Sequence, residues 1–437
     1  MMKTFRIITL GCKVNQYESA FLDEALQKEG CRQAGAGEQA DITIVNTCIV
    51  TQRAAHQSRQ AIRKAVRETR SGTVAAVGCY AQAAPEELTR IRGLGLVADN
   101  ISKARIPEEL LRQGDGKGQQ TLRGSFHQGM PFEYLPVKGL PERTRAYLKI
   151  QDGCESFCSY CIVPTARGPL RSLAAQEVIR ALASFAAAGT QEVVLTGIHI
   201  GQYGVDLRPP VGLPALLRLI GKEGLPLRVR LSSIEPKEVV PDLVELVAYE
   251  PWLCRHFHIP LQSGDDGILS RMNRAYRAKD YIRLIEDIHR RFPLAALGAD
   301  VMVGFPGEDE GAFRRTYTLI GDLPISYLHV FPYSPRRGTP AASFPGQVDP
   351  KAASERAARL RALGQEKRKA FYQSCLGKEF TVLAEGWHSE EKKSVKGLSD
   401  NYLPIHFPSR VELNNRMVPV RVERLEGRGV LGRVVDP

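Results

Sequence analysis

The sequence predicts an α/β protein in three parts: a small doubly wound α/β domain, a central partial (β/α) barrel and a small all-β barrel. Three observations support this prediction. Short runs rich in Ile, Val and Thr alternate with helical stretches over most of the chain. The first three of these runs each end at a cysteine. After residue 375, short alternating runs punctuated by glycines replace this pattern.

The length and composition indicate a folded protein of several domains. The chain has 437 residues, which at roughly 150 residues per domain predicts about three domains. A content of 43% hydrophobic and 25% charged residues excludes disorder and a membrane bundle. No run of about 18 consecutive apolar residues is present, so we expect no membrane contact. The apolar run at residues 7–10 is too short for a secretory signal, and we expect a cytoplasmic protein.

The N-terminal domain is predicted over residues 1–113. Residues 4–11, 41–47 and 73–78 read as buried parallel strands, with helices at 17–30 and 51–70 between them. The strands end at Cys12, Cys48 and Cys79. Because ligands of an open α/β sheet bind beyond the carboxyl ends of its strands, we expect these three thiols to converge on one edge.

A glycine- and proline-containing linker is predicted at 114–141, followed by a central domain at 142–374. Six βα steps in about 200 residues favour a barrel or part of one, with its chemistry at the carboxyl ends of the strands. The predicted strands are 146–150, 192–196, 228–232, 256–259, 297–303 and 327–331, and the predicted helices are 175–188, 214–221, 238–249, 279–291, 309–319 and 352–373.

The C-terminal domain is predicted over residues 375–437. Its alternating runs at 380–385, 394–399, 403–407 and 418–424 are typical of short strands. The glycines between these runs mark turns. Together they indicate a small β-barrel.

The central motif is DGCESFCSYC at residues 152–161, in the loop after the first barrel strand. Cys154, Cys158 and Cys161 supply three thiolates, whereas structural zinc or a fully ligated iron–sulfur cluster takes four ligands. A cubane cluster on three cysteines leaves one iron open for a substrate or cofactor. The alternative is a zinc loop that takes its fourth ligand from elsewhere. Cys31, Cys254 and Cys375 lack partners at ligand spacing, and we expect them to be structural.

This spacing, with Tyr160 before the last cysteine, resembles the signature of the radical S-adenosylmethionine (SAM) superfamily. Cys12, Cys48 and Cys79 stand as in its methylthiotransferase branch. The resemblance spans essentially the whole chain, and the motifs that carry it are LGCKVNQYES (10–19), NTCIVT (46–51), GCYAQ (78–82), CIVPTARG (161–168), LTGIHIGQYG (195–204), SSIEP (232–236), HIPLQSGDD (258–266), MNRAY (272–276), DVMVGFPGE (300–308) and HVFPYSPRRGTPAA (329–342).

Within this family, GCKVNQYES is similar to the MtaB type, which converts N6-threonylcarbamoyladenosine at position 37 of tRNA to its 2-methylthio form. The resemblance therefore implies a transferase of a sulfur-containing group acting on tRNA. Relatives acting on isopentenyladenosine usually show GCQMN here, and those acting on a ribosomal-protein side chain usually show GC-x-KN. The same chemistry on either of those substrates is the alternative.

The resemblance also implies the cofactors. One 4Fe–4S cluster on Cys154, Cys158 and Cys161 would bind SAM and yield a radical that removes the inert hydrogen at carbon 2 of adenine. A second 4Fe–4S cluster on Cys12, Cys48 and Cys79 would carry the sulfur. An electron donor such as flavodoxin or ferredoxin is implied, as is a C-terminal TRAM domain. No catalytic residue beyond the cluster ligands is predicted, because the cofactors carry the hard chemistry.

The residues predicted to contact SAM lie beside the cluster loop or near strand ends. Arg167 either pairs with the carboxylate of SAM as a bidentate fork or braces the loop. Gly197 either admits a ligand close to the backbone or only forms a turn. Asp300 either contacts SAM or caps a loop. The complete set is Tyr160, Arg167, Gly197, Ser233, Glu235, Gln262, Ser263 and Asp300.

Two basic stretches are candidate RNA-binding surfaces. The net charge of +12 makes a polyanionic partner plausible, although a merely basic enzyme would show it too. Such side chains contact phosphates without reading sequence, but a solvated helix face is the usual alternative. The residues on one predicted helical face are Arg59, Arg63, Arg67 and Arg70, and those within the basic stretch 351–369 are Lys367 and Arg368.

A function of another class fits the same cysteines: a non-catalytic RNA-binding protein with structural zinc. It predicts a colourless protein that is stable in air. The radical enzyme instead predicts a brown, air-sensitive protein with about eight irons per chain, four for each cluster.

Overall fold

The computed structural model describes residues 2–69, 72–112, 118–138, 144–389 and 393–435. The chain forms two compact units. The first comprises residues 1–137, 149–173 and 334–342, and the second comprises 138–148, 174–333 and 343–437. This division differs from the domain limits that we predict from the sequence, because the segment with Cys154, Cys158 and Cys161 belongs to the first unit.

The N-terminal part of the first unit is a parallel six-stranded sheet in the order β2-β1-β3-β4-β5-β6. Its elements are β1 (Thr4–Thr9), α1 (Lys13–Lys28), β2 (Arg32–Gln33), β3 (Ile42–Thr47), α2 (Gln52–Glu68), β4 (Thr73–Gly78), α3 (Cys79–Ala83), α4 (Pro85–Thr89), β5 (Leu96–Ala98), α5 (Ile106–Arg112) and β6 (Gln120–Leu122).

Helices cover both faces of this sheet, as in a doubly wound fold. Leu22 of α1 and Ile106 of α5 pack in one buried cluster with residues of β1, β3 and β4. Ile62 and Ala65 of α2 pack in a second cluster against the other face. Strand β3 is buried along its whole length, which explains its nearly continuous run of apolar residues. The three strands that the sequence predicts here are confirmed.

The cysteine-bearing segment of the first unit follows strand β7 (Arg145–Lys149). It consists of β8 (Gln151–Asp152), α6 (Val163–Arg167) and β9 (Arg171–Ser172). Strands β8 and β9 pair antiparallel, so both ends of the intervening loop are held together. Gly153 has φ +76°, and a Cβ there would lie 1.9 Å from the carbonyl oxygen of Pro169, so only glycine fits immediately before Cys154.

The second unit contains two three-stranded sheets, in the orders β11-β10-β7 and β12-β13-β14. They alternate with helices and form the partial (β/α) barrel that the sequence predicts. The elements are α7 (Ala175–Ala187), β10 (Glu192–Thr196), α8 (Leu213–Lys222), β11 (Arg228–Leu231), α9 (Pro241–Tyr249), β12 (His256–His258), α10 (Asp266–Arg271), α11 (Ala278–Arg291), β13 (Ala296–Val303), α12 (Glu310–Asp322), β14 (Tyr327–Pro332) and α13 (Pro350–Ser374).

The C-terminal strands close a five-stranded barrel in the order β15-β16-β17-β19-β18. Its strands are β15 (Glu379–Ser389), β16 (Ser394–Ser399), β17 (Pro404–Pro408), β18 (Met417–Glu426) and β19 (Gly429–Val434). The sequence predicts four of these strands but misses β19, whose two glycines resemble turn residues. Position 432 lies within a strand but must be glycine, because a Cβ there would come within 2.4 Å of Val420 Cγ1.

Two buried arginines fasten this barrel to the central sheet of the second unit. Arg228 and Arg230 of β11 both donate to the fully buried carboxylate of Glu192 in β10. Each guanidinium also donates to two main-chain carbonyl oxygens of the C-terminal region. The carboxylate therefore orients two cations whose remaining donors hold the barrel. Among the described residues, no helix is both long and apolar enough to cross a membrane.

Candidate active site

The three N-terminal cysteines follow neighbouring strands of the parallel sheet. Cys12 precedes α1 after β1, Cys48 follows β3 directly, and Cys79 is the first residue of α3 after β4. They lie close enough to influence one another: burial, and to a smaller extent the charges of Cys79 and Cys12, raise the pKa of the Cys48 thiol to about 11. The structure thus brings these cysteines to one edge of the sheet.

A glycine with positive φ precedes two of these cysteines, at positions where a side chain would not fit. Gly11, before Cys12, has φ +99°, and a Cβ there would lie 2.9 Å from Cys48 Cβ and 3.1 Å from Cys48 Sγ. Gly78, before Cys79, has φ +93°, and a Cβ there would lie 2.4 Å from Asn46 Oδ1. A side chain at either position would occupy the space between the strand ends.

Hydrogen-bond donors point at the sulfur of Cys79. The Nε–H of Arg167 donates to Cys79 Sγ at 3.2 Å, and the amide of Asn100 donates to it at 3.7 Å. Burial raises the pKa of the Cys12 thiol, and the charge of Arg167 opposes that rise. A nearby arginine favours the thiolate, which is the form that binds metal.

Five buried charged side chains, which we call the buried charge cluster, lie next to these cysteines: Glu18, Lys103, Lys149, Asp152 and Arg167. The carboxylate of Glu18 accepts from Arg167 Nη1 at 2.5 Å, from Lys149 Nζ at 3.2 Å and from Lys103. Lys149 Nζ also donates to Asp152 at 2.9 Å. Burial alone would raise the pKa of Glu18, but the charges of Arg167, Lys103 and Lys149 lower it to about 2.

The buried charge cluster contains three cations and two anions, so it carries a net positive charge. An uncompensated buried charge is unfavourable, and burial lowers the pKa of Lys103 to about 8. The thiolates of Cys12, Cys48 and Cys79 would supply the missing negative charge. This donor set therefore fits an anionic iron–sulfur cluster held by three cysteines.

The second set of cysteines lies in the loop between β8 and α6. Cys154, Cys158 and Cys161 are all partly exposed. The N–H of Cys154 donates to the carbonyl oxygen of Gly168 at 3.1 Å, and that of Cys161 donates to the carbonyl oxygen of Cys158 at 2.9 Å. The backbone thus holds the loop in place while its thiols remain accessible. Tyr160 lies in the same turn and is half-buried.

The structure assigns Arg167 to the N-terminal cysteines. Its guanidinium is 1% exposed and donates to Glu18, to Cys79 and, at 2.7 Å, to Asn15 Oδ1. This arrangement agrees with the alternative in which Arg167 braces the protein. It differs from the alternative in which Arg167 binds the carboxylate of SAM through two hydrogen bonds. Arg167 also connects the two cysteine sets, because it ends the helix that follows Cys161 and contacts Cys79.

Several predicted SAM contacts do follow strands of the second unit. Gly197 follows β10, Ser233 and Glu235 follow β11, and Gln262 and Ser263 follow β12. The structure shows protein partners for two of them. The carboxylate of Glu235 pairs with Arg274. The buried hydroxyl of Ser263 lies 3.3 Å from Thr316 Oγ1. These residues stay candidates for SAM contact.

Asp300 lies within β13 rather than beyond its end. Its Oδ1 lies 2.9 Å from His258 Nε2 and 3.2 Å from His329 Nδ1. Burial would raise the pKa of Asp300, but contacts with both histidines hold it well below its usual range. The carboxylate is therefore ionised and held between two imidazoles. This arrangement differs from the loop cap that the sequence suggests as one alternative.

The candidate RNA-binding residues are not equally exposed. Arg63 and Arg67 are exposed, and Arg70 lies outside the described residues. Arg59 is half-buried and donates to the hydroxyl of Tyr80, so the predicted basic face is interrupted there. Lys367 donates to the carbonyl oxygen of Gly321 at 2.7 Å, and its neighbour Arg368 is half-buried.

Sequence reasoning missed most of the buried charge cluster. Glu18 lies six residues after Cys12, and Asp152 lies two residues before Cys154, both inside the motifs quoted above. Those positions are the signal that could have been used. Lys103 carries no such signal, since a lysine in a polar stretch of sequence usually reads as exposed. The three cysteines expected to be structural, Cys31, Cys254 and Cys375, are all buried.

Comparisons with known proteins agree with this architecture. Residues 4–98 match the family described as Uncharacterized protein family UPF0004, and residues 148–320 match the Radical SAM superfamily. The chain is 36% identical over 424 residues to "Threonylcarbamoyladenosine tRNA methylthiotransferase MtaB" of Bacillus subtilis (strain 168), covering 96% of this chain and 94% of that protein. It is 32% identical over 442 residues to "tRNA-2-methylthio-N(6)-dimethylallyladenosine synthase" of Moorella thermoacetica, covering 99% of each.

A solved structure shows the same fold over most of the chain. The radical S-adenosylmethionine methyltransferase TsrM from Kitasatospora setae, with cobalamin and a 4Fe–4S cluster bound, is similar with a TM-score of 0.55 at 17% identity. The match covers 78% of this chain and 77% of that one. The full-length relatives above 30% identity show that the chain belongs to the radical SAM methylthiotransferase family.

Proposed function

We propose that this chain transfers a methylthio group to carbon 2 of N6-threonylcarbamoyladenosine at position 37 of tRNA, using SAM and two 4Fe–4S clusters. The relative from Bacillus subtilis is named for this activity, and the match covers nearly the whole chain. The relative from Moorella thermoacetica, named for dimethylallyladenosine, is less similar. The substrate assignment follows the more similar relative.

The observation that carries the proposal is the presence of two three-cysteine sets in one compact unit, with the buried charge cluster between them. When bound, the cluster on Cys154, Cys158 and Cys161 would supply the electron that cleaves SAM, and the cluster on Cys12, Cys48 and Cys79 would supply the sulfur. Three ligands per set leave one iron position open in each cluster.

The residues around the N-terminal set hold its ligands. Arg167 and Asn100 donate to the sulfur of Cys79, which stabilises negative charge there. Asn15 donates to the carbonyl oxygens of Leu10 and Thr47, the residues just before Gly11 and Cys48. These bonds keep two strand ends at a fixed separation.

The remaining assignments belong to the same proposal. In the second unit, the strand-end residues and the ionised carboxylate of Asp300 are the proposed SAM contacts. Exposed Arg63 and Arg67 of α2 contact tRNA phosphates. A flavodoxin or ferredoxin delivers the electrons. The reaction takes place in the cytoplasm, where the tRNA is.

Mass spectrometry of tRNA nucleosides tests the proposal. The chain is reconstituted with iron and sulfide without oxygen, then given SAM, a strong reductant and tRNA that lacks methylthio groups. We expect a new peak of 2-methylthio-N6-threonylcarbamoyladenosine. Formation of 5′-deoxyadenosine with product on isopentenyladenosine alone would contradict the proposed substrate.

A cysteine outside both sets provides the matched control. Cys31 is buried in the first unit, and Cys31→Ala leaves all six proposed ligands in place. This variant should form the same product as the wild type. The zinc alternative would instead show neither product nor 5′-deoxyadenosine.

A further inference from the structure

The segment 334–342 of the first unit is hydrogen-bonded to residues that follow or lie within the cysteine motifs. The N–H of Gln52, four residues after Cys48, donates to Ser334 Oγ at 2.9 Å. At the other end of the segment, the N–H of Ala341 donates to the carbonyl oxygen of Ser159 at 2.8 Å. Ser159 lies inside the loop of the second cysteine set. Residues between these two anchors therefore lie near both cysteine motifs of the first unit.

Arg336 lies between these two anchors and forms no ion pair with a described residue. Its side chain is half-buried, and its Nε is buried without an acceptor among the described residues. No ion pair with any residue that the structure describes involves Arg336. Arg59, by contrast, bonds to the hydroxyl of Tyr80 and lies 3.7 Å from the carboxylate of Glu87. Burying an unpaired donor is unfavourable, so Arg336 is arranged for an acceptor that the chain does not supply.

The surroundings of Arg336 place it beside the N-terminal cysteines. Burial lowers the pKa of its guanidinium, and the charges of Tyr80, Glu87 and Cys48 act in the opposite direction. The group stays cationic at neutral pH, as arginine does in proteins. The planar, charged guanidinium of Arg336 thus lies near Cys48, and its Nε has no hydrogen-bond partner among the described residues.

The proposed substrate carries the matching acceptor. The threonylcarbamoyl group on N6 of adenine ends in a free carboxylate, whereas an isopentenyl group in the same place is uncharged and apolar. N6 is attached to carbon 6, which belongs to the same six-membered ring as carbon 2. When carbon 2 approaches the sulfur held by the N-terminal set, the N6 group must enter the same space. A guanidinium binds a carboxylate through two parallel hydrogen bonds.

We infer that Arg336 binds the carboxylate of the threonylcarbamoyl group and so distinguishes this substrate from isopentenyladenosine. The inference rests on the proposed function and adds the residue that selects the substrate. An uncharged N6 group would leave Arg336 unpaired, which disfavours that tRNA in addition to removing a favourable contact.

Binding measurements on the reconstituted full chain test this inference. The probes are anticodon stem–loops with N6-threonylcarbamoyladenosine, isopentenyladenosine or adenosine at the modified position, and fluorescence anisotropy gives each Kd without oxygen or reductant. We expect the wild type to prefer the threonylcarbamoyl probe over the adenosine probe by about 10- to 100-fold, the value for charged hydrogen bonds. Arg336→Gln should abolish this preference and leave the Kd for the adenosine probe within about twofold.

Two further variants keep the result interpretable. Arg336→Lys retains the charge but not the fork, and it should keep only part of the preference. The neighbouring Arg337 is exposed, and Arg337→Gln should behave as the wild type. Equal iron content and equal circular dichroism in all variants show that folding is unchanged. If Arg336→Gln misfolds, Arg336→Lys decides the question alone.

The outcomes separate this inference from the proposed function. A wild type that modifies the threonylcarbamoyl tRNA, with Arg336→Gln retaining the full binding preference, would overturn the inference alone. A wild type that modifies only isopentenyladenosine would overturn the proposed function, whatever Arg336 does. Loss of the preference in Arg336→Gln, with product formed by the wild type, supports both.

Discussion

Glu18→Gln should destabilise the first unit strongly, because Glu18 is one of only two anions in the buried charge cluster. Its carboxylate is 0% exposed and accepts from Arg167, Lys149 and Lys103. Glutamine has nearly the same shape but no charge. After the change, three buried cations would share the single carboxylate of Asp152.

The size of the effect can be estimated in two ways. Removing one partner of a buried ion pair costs about 3–5 kcal/mol. The pKa of Glu18 falls from 4.5 to about 2 in the folded protein, and at about 1.4 kcal/mol per unit this gives roughly 3 kcal/mol. Both values predict a loss of about 3 kcal/mol. For a unit of this size, that corresponds to a Tm lower by about 6–12 °C.

The same shift sets the pH dependence. Because the folded pKa of Glu18 is depressed, its contribution is complete above about pH 4.5 and is lost as the pH falls through about 2. The difference in the free energy of unfolding between wild type and Glu18→Gln should therefore be constant from about pH 5 to 7. It should shrink only below about pH 4.5.

Amide hydrogen exchange in β3 and β4 is the assay, because it reports the first unit separately in a chain that need not unfold in one step. The control is Glu68→Gln, whose carboxylate is 54% exposed and lies 3.7 Å from Lys64. This exposed pair should be worth at most about 1 kcal/mol. If Glu18→Gln exchanged no faster than Glu68→Gln, the buried charge cluster would not stabilise the unit as argued here.

Three further predictions concern the two cysteine sets, RNA and the C-terminal barrel. Cys154→Ala should abolish the formation of 5′-deoxyadenosine, measured by chromatography. Cys12→Ala should still form some 5′-deoxyadenosine but no methylthio product. Equal methylthio product from Cys12→Ala and wild type would contradict the role of the N-terminal set. Arg63→Gln should weaken tRNA binding equally for all sequences and reduce the slope of log K against log salt by about 0.7–0.9, and an unchanged slope would exclude a phosphate contact. Arg230→Met should speed amide hydrogen exchange in β15 and β16 by at least about tenfold. The reason is that Glu192 loses one of its two cations and the barrel loses two hydrogen bonds. Unchanged exchange would show that Arg230 is not needed to hold the barrel.

Much of the fold can be predicted from local sequence patterns. β3 and β4 are recognisable because both faces are buried, which requires continuous apolar runs. The convergence of Cys12, Cys48 and Cys79 follows from the parallel sheet alone. β5 and β6, with three residues each, are too short to show any period, and β6 falls inside the predicted linker.

The contacts within the buried charge cluster could not be predicted, because its members lie at separate places in the chain, at residues 18, 103, 149, 152 and 167. Glu18 and Lys103 are 85 residues apart, and both residue types are usually exposed. Arg167 shows the same difficulty: its position in a motif indicates a function, but only the structure shows that its donors reach Cys79 and Glu18. Arg336 became a candidate only because its neighbours leave its Nε buried and unbonded.

The iron content of the reconstituted chain tests the central claim, that two separate cysteine sets each hold a 4Fe–4S cluster. The wild type should contain about eight irons per chain. A variant with Cys12, Cys48 and Cys79 changed to alanine should contain about four, and so should a variant with Cys154, Cys158 and Cys161 changed. A wild type with about four irons, or with zinc in place of iron, would contradict the account.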